Sequence, residues 1–207
     1  MKNEFIEDIR QKLQGELPGQ EAQFKMTHAV RRSYKPAPAD ARIACVMCLF
    51  YEKNDQPHVA FIQRTSKNPN DRHGGQIGFP GGKEEESDRS HEAAARRETE
   101  EEIGIKGADI DVLGALSSLY IPVSNFQVYP FVGYLDYEPK FNRQVEEVDA
   151  ILEIPFSTFF KKEARKTKDM RFSENVILKD VPYFDLGEHV LWGATAMMMS
   201  ELVELVR

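Results

Sequence analysis

The sequence predicts one α/β (α+β) domain of mixed strands and few helices. Three observations carry that prediction. Strand-like apolar stretches recur along the chain with turn residues between them. Only four stretches read as helical, at 3–14, 90–103, after Pro155, and at 189–206. No internal repeat or low-complexity linker divides the 207 residues, a length that suits one domain or a domain with an appendage.

Each element has a local reason. Phe5, Ile6, Ile9 and Leu13 lie near helical spacing over 3–14. A polar stretch with Pro18, Pro36 and Pro38 then reads as an extended lead-in. This divides the chain into an N-terminal helix and lead-in, 1–38, and a main domain, 39–207. Strands are expected at 41–52 and 58–64, with "KNDQP" as a hairpin loop. Cys45 and Cys48 fall in the first of these strands. Residues three apart on a strand point to opposite faces, so they read as two core cysteines, neither a redox pair nor half of a zinc site.

Residues 65–82 are rich in glycine and loop-like, and include Pro69 and Pro80. The helix at 90–103 has Ser87, Asp88 and Ser90 as candidate N-caps and Gly104 as its stop. Strands follow at 110–120 and 126–136; Pro130 predicts that the latter is an edge strand or a bulged one. A strand at 149–154 leads into "PFSTFFKKEA", expected to be helical after Pro155. A hairpin at 170–185 and an apolar helix at 189–206 complete the chain.

Apolar residues make up 41% and charged residues 29%, a globular balance. No apolar run approaches the roughly 20 residues that span a bilayer. The start, "MKNEFIEDIRQKL", lacks the apolar core of a signal peptide. A cytoplasmic protein is expected. The net charge of −7 argues against duplex nucleic acid as a partner. It leaves room for a small phosphorylated ligand reached through metal ions.

The stretch "GGKEEESDRSHEAAARRETEEEIGI" concentrates charge beside a glycine pair. On a helix, Glu98, Glu101 and Glu102 stand at i, i+3 and i+4 and share a face. Like charges so spaced repel. Either Arg96, Arg97 and solvent absorb that cost, or the face holds a divalent cation, which favours carboxylate oxygens and keeps phosphate as a further ligand. The preceding "FPGG" sets a flexible loop near the helix start, where phosphate is well received.

These residues resemble the Nudix box. Arg97-Glu98-Thr99-Glu100-Glu101-Glu102-Ile103-Gly104-Ile105 fits its second half, with Thr99 less apolar than usual. Counted from Gly82, the first half is one residue longer than the usual box and carries Asp88 as its spaced acid. The coenzyme A diphosphatase branch is similar in both respects. It also has a run like "HGGQIGFPGG", residues 73–82 here, and segments like "LWGATA" and "EEVDAILEIP". "QRTSKN", with Arg64 and Thr65, resembles the start of that branch's signature, with a gap to Phe79 about two residues longer.

The resemblance implies a Nudix fold, a mixed β-sheet sandwiched between α-helices, and hydrolysis of a diphosphate joined to another moiety. It implies Mg²⁺ or Mn²⁺ on Glu98, Glu101 and Glu102, with the Gly82 carbonyl as a further ligand. Glu147 or a box glutamate would be general base, and Arg97 would orient the glutamates. Arg64, Arg72, His73, Gln76 and Phe79 would meet the substrate. Coenzyme A would give 3′,5′-ADP and 4′-phosphopantetheine. Lys67 and the basic run "KKEARKTK" are candidates for its 3′-phosphate, and Trp192 reads as core before adenine platform. ADP-ribose, a nucleoside triphosphate, or a non-catalytic nucleotide-binding role are the alternatives. The expected partner is a small-molecule diphosphate, with neither nucleic acid nor membrane; a homodimer is left open.

Overall fold

The structure is a computed structural model that describes residues 2–28, 36–67, 73–173 and 176–207. Its centre is a hairpin of β1 (Arg42–Lys53) and β2 (Gln56–Arg64). Asn54 and Asp55 turn it with φ of 52° and 56°. A type I′ two-residue hairpin needs positive φ at both positions, and Asn and Asp tolerate that conformation best after glycine.

Beyond Leu49 and Ala60 the two strands part, and the chain's own loop fills the gap. β3 (Ile77–Gly78) pairs with β2, and β4 (Gly81–Lys83) pairs with β1. Between them the Met47 amide donates to the Pro80 carbonyl at 2.9 Å. On the other side of β1 runs β7 (Phe126–Tyr134), parallel to it, flanked by β5 (Asp111–Ala115) and β6 (Leu119–Ile121). β8 (Val148–Pro155) pairs with the length of β2. The result is an eight-stranded mixed sheet.

Alternation along β1 sends its side chains to two cores. Cys45, Met47, Leu49 and Tyr51 join Ala94, Ala95 and Ile103 of α3 (His91–Ile103). Cys48 and Phe50 face the opposite core with α1 (Lys2–Leu13) and α4 (Gly193–Val206). The sheet is therefore sandwiched between helices. The two cysteines lie on opposite faces, both fully buried and free. Each large apolar side chain buried this way contributes about 1.5–3 kcal/mol.

Four local expectations are corrected. The lead-in contains a helix, α2 (Gly19–Phe24), that packs on α4. β7 is an interior strand, not an edge. Pro130 pairs with Val46 on one side, and on the other its carbonyl accepts from the Leu116 amide at 2.9 Å. That contact falls at the break between β5 and β6, where a missing N–H leaves no ladder bond unmade. The helix expected after Pro155 is two short 3₁₀ turns, Phe156–Phe160 and Lys162–Ala164. The last helix begins only at Gly193; His189–Trp192 is a strand, β11. It pairs with β10 (Val176–Leu186), which pairs with β9 (Arg165–Ser173), in a separate three-stranded sheet.

Candidate functional site

The helix α3 is fixed at both ends. The Ser90 side chain accepts from the Ala93 amide at 3.1 Å, and Gly104 takes φ 73°. These limits set Glu98, Glu101 and Glu102 towards the β4 end of the sheet in three different environments. Glu102 is buried, 1% exposed. Its Oε2 accepts from the Gly81 amide at 2.7 Å, and Arg64 Nη1 stands 3.6 Å from its other oxygen. Burial pushes its carboxyl up to about 8, against the opposing pull of the Gly81 amide and Arg64. Glu98 lies against Gly82 so closely that any Cβ there would collide with its carboxylate. Burial raises its pKa too, partly offset by Arg97. Glu101 is exposed.

Arg97 ties this group together. Its Nη1 donates to Glu98 Oε1 at 2.8 Å and to Glu101 Oε2 at 3.0 Å. Its Nε and Nη2 fork onto the two oxygens of Asp88, each at 3.0 Å, and Nη2 also reaches the Lys83 carbonyl at 3.1 Å. Asp88 is thereby held below the usual carboxylate range, chiefly by Arg97, against an opposing burial cost and with the Glu85 amide adding to the downward pull. The spaced acid of the box thus clamps the arginine that orients two of the glutamates. A box motif alone does not reveal this use of Asp88, because the fork depends on how β4 turns into α3.

Glu147 arrives from a distant segment. The Asn142 and Gln144 amides donate to the Ile103 and Glu102 carbonyls at 3.0 and 2.9 Å. Those carbonyls end α3 and have no intrahelical partner. Their pairing docks the 142–148 turn beside the box. The Glu147 carbonyl then accepts from the Thr65 amide at 2.8 Å. The Glu147 charge is felt by both Glu98 and Glu102. Arg64, Thr65, Glu102 and Glu147 so converge at the end of β2.

The loop ahead of β3 closes on the same corner. The Arg64 amide donates to the Gln76 carbonyl at 3.0 Å, and the Gly75 amide to the Arg64 carbonyl at 2.9 Å. His73 Nδ1 lies 3.3 Å from Gln76 Oε1. Phe79 is 4% exposed and stacks on Phe61 with ring centroids 5.1 Å apart, so it is mainly a core residue with an edge on the site. Arg72 lies outside the described residues. Arg64, His73, Gln76, Phe79 and Gly82 all line one cavity of about 870 Å³ on the α4 side of the corner. Its far walls are largely apolar, apart from Gln20 and Gln23 of α2, and come from α2, β6, β10 and α4, with Trp192 and Gly193 at the helix start. Sequence reasoning missed the α2 wall, because Pro18 and Gly19 read as extended chain although a proline also suits a helix start. In the basic run, Arg165 pairs with Glu204 and Lys166 with Asp185, and neither lines this cavity.

Chemically, the corner offers carboxylate oxygens spaced over a helix face, a glycine backbone beside them and a cationic side chain opposite. Oxygen donors of this kind suit hard divalent cations. The donors do not close on a single point: Glu102 turns to Gly81, Glu98 to Gly82 and Glu101 outward. Among the described residues no helix is long and apolar enough to cross a membrane.

A strand-loop-helix corner with this acid-arginine pattern defines a class. Residues 41–174 match the NUDIX domain family, and the chain belongs to it. Among its relatives, Nudix hydrolase 15, mitochondrial, of Arabidopsis thaliana is 32% identical over 161 residues, covering 75% of this chain and 55% of that one. The uncharacterized Nudix hydrolase NudL of Pectobacterium atrosepticum is 31% identical over 131 residues, covering 63% and 67%. The chain thus spans little more than half the length of the plant relative. A Nudix hydrolase from M. smegmatis, RenU, has a similar fold at a TM-score of 0.52 and 11% identity, covering 80% of this chain and 83% of that one.

Proposed function

We propose that the protein is a metal-dependent hydrolase that cleaves the diphosphate of a nucleoside diphosphate joined to another moiety, with coenzyme A or a derivative as substrate. The observation that carries the reading is the convergence of Glu98, Glu101, Glu102 and Glu147 on one corner, held by the Arg97–Asp88 fork beside Gly82.

Oxygen donors of this set fit Mg²⁺ or Mn²⁺, on Glu98, Glu101 and Glu102 with the Gly82 carbonyl. Such ions would offset the diphosphate's charge and lower the pKa of a bound water. The protein's own groups do the rest. Arg64 at the mouth of the corner binds a phosphate oxygen. Glu147 accepts the proton of the attacking water. Arg97 keeps Glu98 and Glu101 in place and does not touch substrate. The bond between bridging oxygen and phosphorus breaks, giving two phosphorylated products.

The substrate assignment is supported by residues 73–82, whose sequence resembles the coenzyme A diphosphatase branch and most of which line the cavity with the start of the "LWGATA" helix. His73, Gln76 and, outside the described residues, Arg72 are the proposed substrate contacts, with Phe79 supporting that wall from the core. The test is product analysis with Mg²⁺ or Mn²⁺ over coenzyme A, acetyl-coenzyme A, ADP-ribose, NADH, dinucleoside polyphosphates and nucleoside triphosphates. Release of 3′,5′-ADP from coenzyme A well ahead of the others supports the reading. Preference for another diphosphate keeps the box chemistry and overturns the substrate. No cleavage at all favours a non-catalytic nucleotide-binding role.

A further inference from the structure

On the α3 face of the sheet, next to the box, three donors of different chemistry meet. Cys45 comes from β1, Glu84 from just past β4, and His91 opens α3. One donor atom of each lies within 4.8 Å of the others, and among the described residues this is the only group of three His, Cys, Asp or Glu so drawn together. The packing explains the meeting. Cys45 pairs with Gly82 across β1 and β4, and Glu84, two residues on, points to the same face. His91 Nδ1 lies 2.6 Å from Glu84 Oε1. The imidazole stacks on Tyr129, ring centroids 4.1 Å apart, and Tyr129 is itself the register partner of Cys45 on β7. The stack on Tyr129 holds the ring's plane, with a ring nitrogen within 4.8 Å of the thiol.

Burial is graded in a way that suits ion entry. Cys45 is fully buried, while the side chains of His91 and Glu84 are 37% and 22% exposed. An ion can approach past the outer two and reach the sulfur last. Neither Cys48, on the opposite face, nor the box glutamates are needed.

We infer that Cys45, Glu84 and His91 form a second metal site, for a borderline-soft divalent ion of the zinc class and distinct from the hard-cation corner. A sulfur, a nitrogen and an oxygen donor together suit Zn²⁺ or Co²⁺ and disfavour Mg²⁺. An ion about 2.0–2.3 Å from each donor requires shifts of side-chain scale. The His91–Glu84 hydrogen bond opens, the thiol proton passes to solvent, and water completes a four-coordinate shell. Thiolate and carboxylate together balance the ion's two charges. Occupation would brace the β4–α3 corner that carries Gly82 and Asp88.

The test is titration of the whole protein with Co²⁺, with Mg²⁺ in large excess to hold the carboxylate corner, reading the near-ultraviolet thiolate-to-cobalt charge-transfer band. The expected result is a saturable one-to-one band that Zn²⁺ abolishes, that is lost in Cys45→Ser, and that needs at least tenfold more Co²⁺ in His91→Gln. Should Cys45→Ser not fold, the exposed-side variant His91→Gln decides alone. Absence of the band in the native protein, its survival in Cys45→Ser, or an unchanged midpoint in His91→Gln would each overturn the site. None of these readings depends on turnover.

Discussion

The Gly81 amide donates to Glu102 Oε2 at 2.7 Å, so a backbone N–H at the loop's tightest point holds the most buried carboxylate of the box. Gly81 itself takes φ 151°, and a Cβ there would collide with the Cys45 carbonyl. Loop and helix are therefore locked to each other through a glycine that no other residue could replace without strain.

The buried Glu102 sets a pH dependence in metal-free protein. Its carboxyl rises from 4.5 to about 8 on folding, chiefly through burial. Between those values the native state keeps a proton that the unfolded chain has released, so stability declines as pH climbs through that window. In thermal melts with chelator from pH 5 to 8, Glu102→Gln should lack this part of the decline, and the midpoint difference between the two proteins should change by several degrees. A pH-independent difference would refute the assignment.

Glu101→Gln tests the cation corner without disturbing the core, because Glu101 is exposed. If Glu101 is the metal carboxylate proposed, its loss should lower kcat on the order of a hundredfold or more, about 2.7 kcal/mol or more of transition-state stabilisation. The melting midpoint should hardly move. Turnover equal to the native protein's, or turnover that resists a chelator, would contradict the metal mechanism.

Asp88→Asn separates orientation from chemistry. It removes the charged half of the Arg97 fork, whose bonds are both 3.0 Å. A loss of about 1.5–3 kcal/mol in stability is expected for hydrogen bonds to charged groups. Turnover should fall with kcat while KM for the diphosphate stays near its native value, since Asp88 does not face substrate. Denaturant titration and steady-state kinetics on the same preparation check both halves.

Phe79→Ala distinguishes a core residue from a substrate platform. Stacked on Phe61 and 4% exposed, Phe79 should cost about 3–5 kcal/mol when truncated. Phe79→Leu should recover most of that stability and most of the activity. A leucine variant that folds well yet loses substrate affinity would make the ring a binding surface instead.

Much of this protein is legible in its sequence because the signals are local. The apolar run of β1, the capping serine at Ser90 and the stop at Gly104 each follow from the geometry of one element, and each forms as expected. The box pattern adds the fold. Three things needed the tertiary structure. Asp88 becomes the anchor of Arg97 only because β4 turns into α3 at that angle. Glu147 reaches the box only because the end of α3 leaves carbonyls that Asn142 and Gln144 satisfy. Pro130 sits inside the sheet only because its neighbour strand breaks opposite it. In each case the deciding interaction joins two different elements, and the periodicity of one element carries no information about which group of another it will meet. The sequence determined the elements and the chemistry they carry; the packing of one element's unsatisfied groups against another's decided where that chemistry meets.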